Sequence, residues 1–240
     1  MTRCNPSPSR GTISRYELPR SPPPAWLSAD VAIPCALPFA SCYVYSPRAK
    51  GTVAKASRLL CTRVKSIDPL WLPHYAGVVC KTTFHDRRLA ALFAHDAVLV
   101  PVPGSSASIT SRWVALQLAT ALSVIGCGPR VWIGLRREAA VRKSSTAPEG
   151  ARPTVQQHYE SFAVTVPVIP ANRIVLIDDV VTKGRTLLAA AACLQRELPQ
   201  ADIRAFALIR TLGFVEQLED VTKWCHGVIR WVGGDARREP

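Results

Sequence analysis

Apolar residues along the chain follow two kinds of spacing. Intervals of three and four residues, typical of amphipathic helices, begin after Gly51, after Asp86, near Val114 and near Leu187. Because the short apolar runs between them are rich in β-branched residues, we predict an α/β fold with a mostly parallel central sheet and flanking helices. The predicted strands are residues 98–102, 131–135, 161–166, 174–177, 203–209 and 228–232.

Cap and turn residues set the limits of the predicted helices. Asp86 is suited to cap the second helix, and Thr110 or Ser111 can cap the third. Pro69 and Pro73 interrupt the helical spacing that follows Gly51, so we predict that the first helix ends before them.

A basic segment without apolar periodicity separates the two halves of the chain. Residues 136–153 contain five arginines and lysines against two glutamates, and we predict a long mobile loop. Long loops in compact domains are uncommon and are often lids or binding loops. From the sequence, a binding loop and a surface insertion are both open interpretations.

A chain of 240 residues favours one core with appendages. Residues 1–30 hold six prolines and predict a flexible tail rich in Pro, Ser and Arg. We assign residues 31–96 to an N-terminal helical or hood segment, 97–214 to the core, and 215–240 to a hood strand and tail. The final residues, 233–240, are interpreted as a frayed end.

Composition narrows the class of protein. The 30 lysines and arginines outnumber the 17 acidic residues, giving a formal charge of +13 that favours polyanionic partners, either nucleic acid or a phosphorylated metabolite. No apolar run reaches the roughly 18 residues of a membrane span, and the N-terminus lacks an apolar signal core. We therefore predict a cytoplasmic protein with no membrane partner.

Eight cysteines are scattered without a Cys-x-x-Cys pair. Cys35 and Cys42, with six residues between them, come nearest to a metal-ligand pair. We interpret the cysteines as reduced thiols and expect no structural zinc site.

The segment IVLIDDVVTKGRTL, residues 174–187, carries the candidate chemistry. A buried strand is predicted to end at Asp178 and Asp179, and ligands of parallel sheets bind beyond the carboxyl ends of strands. Hydroxyls, a glycine and a helix N-terminus then suit a phosphate, with Lys183 and Arg185 adding positive charge. Carboxylates accept hydrogen bonds from vicinal hydroxyls, so the pattern indicates a ribose 5-phosphate.

Two other interpretations fit the segment less well. An acidic strand also occurs in P-loop nucleotidases, but no G-x-x-x-x-G-K-[ST] motif precedes it. An acidic turn without function is the second alternative.

Residues 174–187 resemble the phosphoribosyl pyrophosphate (PRPP) motif of type I phosphoribosyltransferases. The resemblance implies that fold, a small hood, and transfer of phosphoribosyl to or from a nitrogenous base, with pyrophosphate leaving or attacking. It implies Mg²⁺ as cofactor, held indirectly by Asp178 and Asp179 through ribose hydroxyls or water, and a nucleobase-like substrate. The implied PRPP-binding residues are Asp178, Asp179, Val180, Val181, Thr182, Lys183, Gly184, Arg185 and Thr186, and the implied pyrophosphate contacts are Pro103, Gly104, Ser105, Ser106, Lys81, Arg142 and Lys143.

The order of segments is most similar to the ComF (competence protein F) branch of that superfamily. VVCKTTFHDRRLAALF, VPVP and RPTVQQHYESFAV carry this similarity, which covers roughly residues 75–213. The branch's N-terminal zinc module is absent, and its arginine-rich segment is reduced to Arg112. Thr182 stands where 6-oxopurine salvage enzymes carry an aspartate, which argues against hypoxanthine or guanine as substrate.

The resemblance leaves alternatives open. The chain is either a working transferase or a ComF-like protein that associates with nucleic acid nonspecifically or senses PRPP without turnover. A homodimer is the oligomeric state the resemblance implies. Lys81, Arg142 and Lys143 fit ordinary surface charges equally well. A base pocket and a general acid or base stay unassigned among Trp113, Trp132, Phe214, Trp224, His85, His95 and His158.

Overall fold

The computed structural model of the protein describes residues 33–66, 70–107, 113–143, 148–165 and 172–240. The predicted tail, residues 1–30, lies outside them, as do Thr110, Ser111 and Arg112. The strands are β1 (Ala36–Tyr45), β2 (Ala97–Pro101), β3 (Arg130–Val131), β4 (Leu135–Arg137), β5 (Phe162–Val164), β6 (Arg173–Val181), β7 (Asp202–Thr211), β8 (Thr222–Val232) and β9 (Asp235–Glu239). The helices are α1 (Thr52–Ser66), α2 (Trp71–Thr83), α3 (Arg87–Leu92), α4 (Val114–Val124), α5 (Val155–Ser161) and α6 (Arg185–Glu197), with a 3-10 turn at Glu149–Ala151.

Seven strands form the central sheet in the order β3-β2-β6-β7-β1-β8-β9. The five strands from β3 to β1 pair in parallel, whereas β8 joins β1 and β9 joins β8 in antiparallel pairs. β2, α4 and β3 make the predicted strand-helix-strand crossover. The α/β class and the mostly parallel sheet are therefore confirmed.

The central strands are apolar because both of their faces are covered. Leu99, Val175, Ile177 and Phe206 are fully buried and share one cluster with residues of α2, α3 and α4. Successive side chains of a strand point to opposite faces, so Ile174 and its even-numbered neighbours face the other side of the sheet. There α6, buried from residue 187 to residue 194, packs against β6 and β7.

The first helix lies where it is predicted, and part of its buried face is confirmed. The apolar spacing predicts that Ala56, Leu60 and Val64 point inward; Leu60 and Val64 are buried, whereas Ala56 is exposed and Ala54 and Ser57 are buried instead. Ser57 tolerates burial because its hydroxyl donates a hydrogen bond to the Ala54 carbonyl at 2.9 Å. A serine that satisfies itself within its own helix gives no apolar signal in the sequence.

The sequence pattern does not predict helix α2, because Pro73 interrupts the helical spacing. Pro73 lies in the first turn of the helix, where backbone N–H groups have no intrahelical partner, so its missing N–H costs no hydrogen bond. The Asp86 cap of α3 is confirmed: its Oδ1 accepts hydrogen bonds from the backbone N–H groups of Arg88 and Leu89 at 2.8 and 3.0 Å. Trp113 occupies the N-cap position of α4.

Two predicted strands differ from the structure. The run 131–135 is divided, since β3 ends at Val131 and β4 begins at Leu135. The run 161–166 is reduced to β5, which pairs with β4 in a separate two-stranded ribbon. Part of the predicted mobile loop 136–153 therefore belongs to a strand, and Ser161 belongs to the helix that precedes β5.

The C-terminal end of the chain is ordered into a hairpin, so the predicted frayed end is wrong. β8 is longer than the predicted strand 228–232, and a Gly233–Gly234 turn with positive φ at both glycines joins it to β9. Two-residue turns of this kind suit the twist of a hairpin. Segments 31–96 and 215–240, assigned to a hood, thus supply β1 and β8 to the central sheet itself. No helix among the described residues is long and apolar enough to cross a membrane.

Candidate functional site

A cavity of about 240 Å³ opens at the carboxyl ends of β2 and β6. The two strand ends are joined there, since the Val102 backbone N–H donates to the Ile177 carbonyl at 2.9 Å. The cavity brings together the predicted loop Pro103–Ser106 and the predicted acid pair. It is lined by residues 102–107, Trp113, Val114, Ala115, Arg136, Arg137, Asp178 and Asp179.

The acid pair lies on the strand and not in the loop after it, because β6 continues to Val181. Asp178 Oδ1 accepts a hydrogen bond from the Asp179 N–H, and Asp179 Oδ1 accepts one from the Val180 N–H, both at 2.9 Å. Burial, and then the neighbouring Asp179 carboxylate, raise the pKa of Asp178 well above its usual value. The site therefore holds a carboxyl group that favours a proton or a nearby cation.

Residues 182–186 turn the chain from β6 into α6. Gly184, the N-cap of the helix, has φ of +88°, and a Cβ atom there would lie 2.6 Å from the Ile229 side chain. Only glycine meets both conditions without strain. The hydroxyls of Thr182 and Thr211 lie 3.2 Å apart, and Thr186 stands in the first turn of α6. The backbone N–H groups at this helix N-terminus suit an anion.

The positive charges of this turn are already paired. Arg185 Nε and Nη2 donate to the two carboxylate oxygens of Asp235 at 2.5 and 2.6 Å, and Lys183 Nζ lies 3.7 Å from the same carboxylate. Two cations share one carboxylate here, so a net positive charge is left at the turn, and the expectation that Lys183 and Arg185 add charge for a phosphate stays a prediction. Val181 is buried, and its carbonyl accepts a hydrogen bond from Arg238 at 3.3 Å.

The other predicted pyrophosphate contacts do not line the cavity. Arg142 and Lys143 are exposed, but they follow Val141, whose N–H donates to the Ser105 carbonyl at 2.9 Å. The backbone just before these two residues thus lies beside the loop that the cavity includes. Lys81 is exposed in the last turn of α2.

Arg137 is the site residue that sequence reasoning missed. It is 4% exposed although it was placed in a mobile loop. Its Nε donates to the Gly104 carbonyl at 2.5 Å, its Nη1 donates to Ser161 Oγ, and its guanidinium stacks on the Phe162 ring at 4.2 Å. Burial lowers the pKa of Arg137 to about 10, opposed by the Asp178 charge, so the side chain stays cationic at neutral pH.

His158 connects this arginine to the second loop. It is 3% exposed, with Nδ1 3.4 Å from Arg137 Nη2 and Nε2 3.4 Å from Thr186 Oγ1. Burial, followed by the charges of Arg137 and Arg185, lowers the pKa of His158 to about 4. The signal for its helix was readable: Thr154 and Gln157 form a capping box that begins α5.

Of the other candidate histidines and aromatic residues, Trp113 lines the cavity, whereas His85, His95 and Phe214 do not. His85 and His95 are exposed and do not line the cavity. Trp113 is 8% exposed and forms part of the wall, with its indole N–H donating to the Val102 carbonyl at 2.8 Å. Phe214 is 77% exposed. No base-stacking role follows from these placements.

The acid pair fits Mg²⁺, which usually binds one or two carboxylates and takes its other ligands from water and substrate phosphates. The raised pKa of Asp178 gives the physical reason, because a divalent cation would relieve the buried negative charge. Across the described ranges, no three His, Cys, Asp or Glu side chains converge on one point. The seven cysteines in those ranges are all free thiols, including Cys35 and Cys42.

A scan of the chain against protein-family models gives no match, and a search of curated proteins finds no similar sequence.

Proposed function

We propose that the protein binds PRPP with Mg²⁺ at the carboxyl edge of its sheet and acts as a phosphoribosyltransferase. One observation carries the proposal: the acid pair at the end of β6 and the loop after β2 line the same cavity. The motif resemblance requires this meeting, and the two segments are more than 70 residues apart in the sequence. The type I phosphoribosyltransferase fold is part of the same proposal.

Asp178 and Asp179 would hold the ribose. Ionised carboxylates only accept hydrogen bonds, so the two vicinal hydroxyls of the sugar would donate to them. The backbone hydrogen bonds within the pair fix its geometry before the ligand arrives.

The 5-phosphate would lie at the start of α6. The backbone from Thr182 to Thr186 would donate N–H groups, and Gly184 lets the chain turn sharply enough for them to converge. Thr182 and Thr186 would add hydroxyl donors. Charge from Arg185 and Lys183 is shared with Asp235.

The pyrophosphate would lie over the loop Pro103–Ser106. Arg137 holds that loop in place by donating a hydrogen bond to the Gly104 carbonyl. Arg142 and Lys143 follow the backbone bond to Ser105 and would contact the outer oxygens. Mg²⁺, when bound, would neutralise charge on the leaving group. In the transfer, the bond from C1 to pyrophosphate would break and pyrophosphate would leave with the electron pair. The lone pair of a ring nitrogen of the base would form the new bond, and the base would release its proton to water.

Calorimetric titration of PRPP tests the proposal. The purified chain is titrated with Mg²⁺ present and again with a chelator, and we expect micromolar binding only with Mg²⁺. The double variant Asp178→Asn and Asp179→Asn should lose the binding. An exposed acid pair gives the matched control, so Glu219→Gln with Asp220→Asn should bind as the unaltered chain does.

Absence of heat in both titrations, with circular dichroism showing a folded protein, would overturn the proposal. Binding that survives in the Asp178 and Asp179 double variant would also overturn it. Pyrophosphate release with a panel of nucleobases then tests turnover.

The ComF-like alternatives stay predictions. PRPP binding without pyrophosphate release for any nucleobase would favour a sensor. DNA affinity that falls steeply with salt, and less steeply after removal of residues 1–30, would favour association with nucleic acid.

A further inference from the structure

A chain of polar contacts through two buried side chains joins the two loops of the proposed site. It runs from the Gly104 carbonyl through Arg137 and His158 to the Thr186 hydroxyl. Arg137 and His158 are 4% and 3% exposed. Both stack on Phe162: the Arg137 guanidinium lies 4.2 Å from the centre of the Phe162 ring, and the centre of the His158 ring lies 6.4 Å from it. The chain is therefore held laterally as well as at both ends.

The arginine gives this chain a direction. A guanidinium has donors and no acceptor, so every partner of Arg137 must accept a hydrogen bond. The Gly104 carbonyl does so, and Ser161 Oγ does so while donating its own proton to the His158 carbonyl at 2.6 Å. His158 Nδ1, the partner of Nη2, must likewise carry a lone pair and no proton.

His158 continues this order of donors and acceptors to Thr186. A neutral imidazole with a lone pair on Nδ1 carries its proton on Nε2. Nε2–H therefore donates to Thr186 Oγ1, 3.4 Å away. Because Thr186 Oγ1 accepts this bond, its hydroxyl proton points elsewhere. Thr186 lies in the first turn of α6, so that proton is offered where the helix N-terminus also offers backbone N–H groups.

We propose that His158 is a positioning residue, which Arg137 locks in the Nε2–H form so that the Thr186 hydroxyl is fixed as a donor to the 5-phosphate. The inference rests on the proposed function for the identity of the ligand. Through Gly104 the same chain ties the 5-phosphate loop to the pyrophosphate loop. A ligand that spans both loops thus meets two sites that are already aligned.

Nitrogen-15 NMR of the histidine rings tests the direction of the chain without any ligand. At pH 7 we expect His158 to show a protonated Nε2 and an unprotonated Nδ1. The variant His158→Gln identifies the signal by removing it. An Nδ1–H form, or an imidazolium at pH 7, would overturn the inference.

Ligand binding tests the role of the chain. His158→Leu keeps the volume but removes both hydrogen bonds, and we expect about tenfold weaker PRPP binding. His158→Gln offers an acceptor and a donor and should restore most of the affinity. The exposed His74 gives the matched control, His74→Leu, which should leave binding unchanged.

A double-mutant cycle with Thr186→Val separates positioning from a general loss of structure. If His158 acts through Thr186, the double variant His158→Leu with Thr186→Val binds PRPP no more weakly than Thr186→Val alone. Additive losses, or His158→Gln as weak as His158→Leu, would overturn the inference. Thermal unfolding of each variant shows that the compared proteins are folded.

The results distinguish this inference from the function it rests on. If the unaltered chain fails to bind PRPP, the proposed function is overturned and the role of Thr186 with it. If the unaltered chain binds PRPP and His158→Leu binds equally well, the inference alone is overturned.

Discussion

Asp235 holds Arg185 through two hydrogen bonds, at 2.5 and 2.6 Å, and so joins the C-terminal hairpin to the first residue of α6. Arg185 also donates to the Pro153 carbonyl at 3.2 Å, which adds the segment before α5 to the same junction. The Arg185 side chain is 18% exposed, so the pair is partly shielded from water. An anion that binds at the start of α6 therefore competes with the Asp235 carboxylate for the nearest cation, Arg185.

Replacing Asp235 with Asn should therefore have two opposite effects. The free energy of unfolding should fall by about 1 kcal/mol, because a bidentate but partly exposed ion pair is lost. Binding of inorganic phosphate at low salt should become several times tighter, because Arg185 and Lys183 no longer share their charge with a carboxylate. Chemical denaturation and calorimetry measure the two quantities. Asp220→Asn, which removes an exposed charge, is the control, and an equal gain in that variant would show an effect of net charge alone.

The buried His158 should make stability depend on pH. Its pKa is about 4 in the folded protein against 6.5 as the ordinary value, so the unfolded chain takes up a proton that the folded protein refuses. The free energy of unfolding should fall as the pH drops from about 6.5 to about 4, by up to about 3 kcal/mol, and change no further from this source below pH 4.

Comparison with His158→Gln isolates this effect. The raised pKa of Asp178 acts with the opposite sign and cancels in the difference, and the lowered pKa values of Asp86 and Asp235 act below their ordinary value of 3.8. Urea denaturation of both proteins at several pH values gives the curves. Parallel curves would contradict the loss of unfolding free energy that we expect from His158 at low pH.

Asp178→Asn should stabilise the protein while abolishing PRPP binding. The folded protein binds a proton at Asp178 more tightly than the unfolded chain does, so ionisation of this group destabilises the fold as the pH rises above about 4. An uncharged amide removes that cost, and we expect the free energy of unfolding at pH 7.5 to rise. Denaturation and titration with PRPP measure the two outcomes. A variant that is less stable than the unaltered chain would contradict this prediction. It would show that the attraction between the Asp178 charge and Arg137 outweighs the cost of burying that charge.

Gly184→Ala should destabilise the fold by more than about 1 kcal/mol. The substitution meets a φ of +88° and an Ile229 side chain within 2.6 Å of the new Cβ. Gly77 in α2 is the control, because a Cβ there meets nothing within 4 Å. Gly77→Ala should stabilise the protein by about 0.5 to 1 kcal/mol in a denaturation experiment. Equal effects in the two variants would contradict the role given to the turn at Gly184.

The central strands and the meeting of the two loops were predictable from the sequence. β2, β6 and β7 are continuous apolar runs, a pattern that strands covered on both faces produce. Because the carboxyl ends of parallel strands share one edge, the predicted position of Asp178 after one strand and Gly104 after another placed both at that edge.

The rest of the site depends on contacts that no local pattern encodes. Arg137 is buried where β4 pairs with β5 and where α5 supplies Ser161 and His158 as its neighbours. The run 161–166 predicts a strand, but it does not say which strand is its partner. The pairing of Asp235 with Arg185 joins residues 50 positions apart and follows from the hairpin that replaces the expected frayed end. The proline in α2 misled because its position in the first turn, and not its presence, decides its effect.

The place of β1 in the sheet bears on how the chain acquires its structure. β1 lies between β7 and β8, and Cys42 in β1 donates a hydrogen bond to the carbonyl of Leu208, 166 residues later. During synthesis at roughly 5 to 20 residues per second, this apolar strand waits many seconds before either neighbour exists. Long-range pairing of this kind slows folding and leaves an unpaired strand open to aggregation. The pairing of β1, which lies far from the residues of the site, should therefore limit the yield of folded protein on expression at low temperature or with added chaperones.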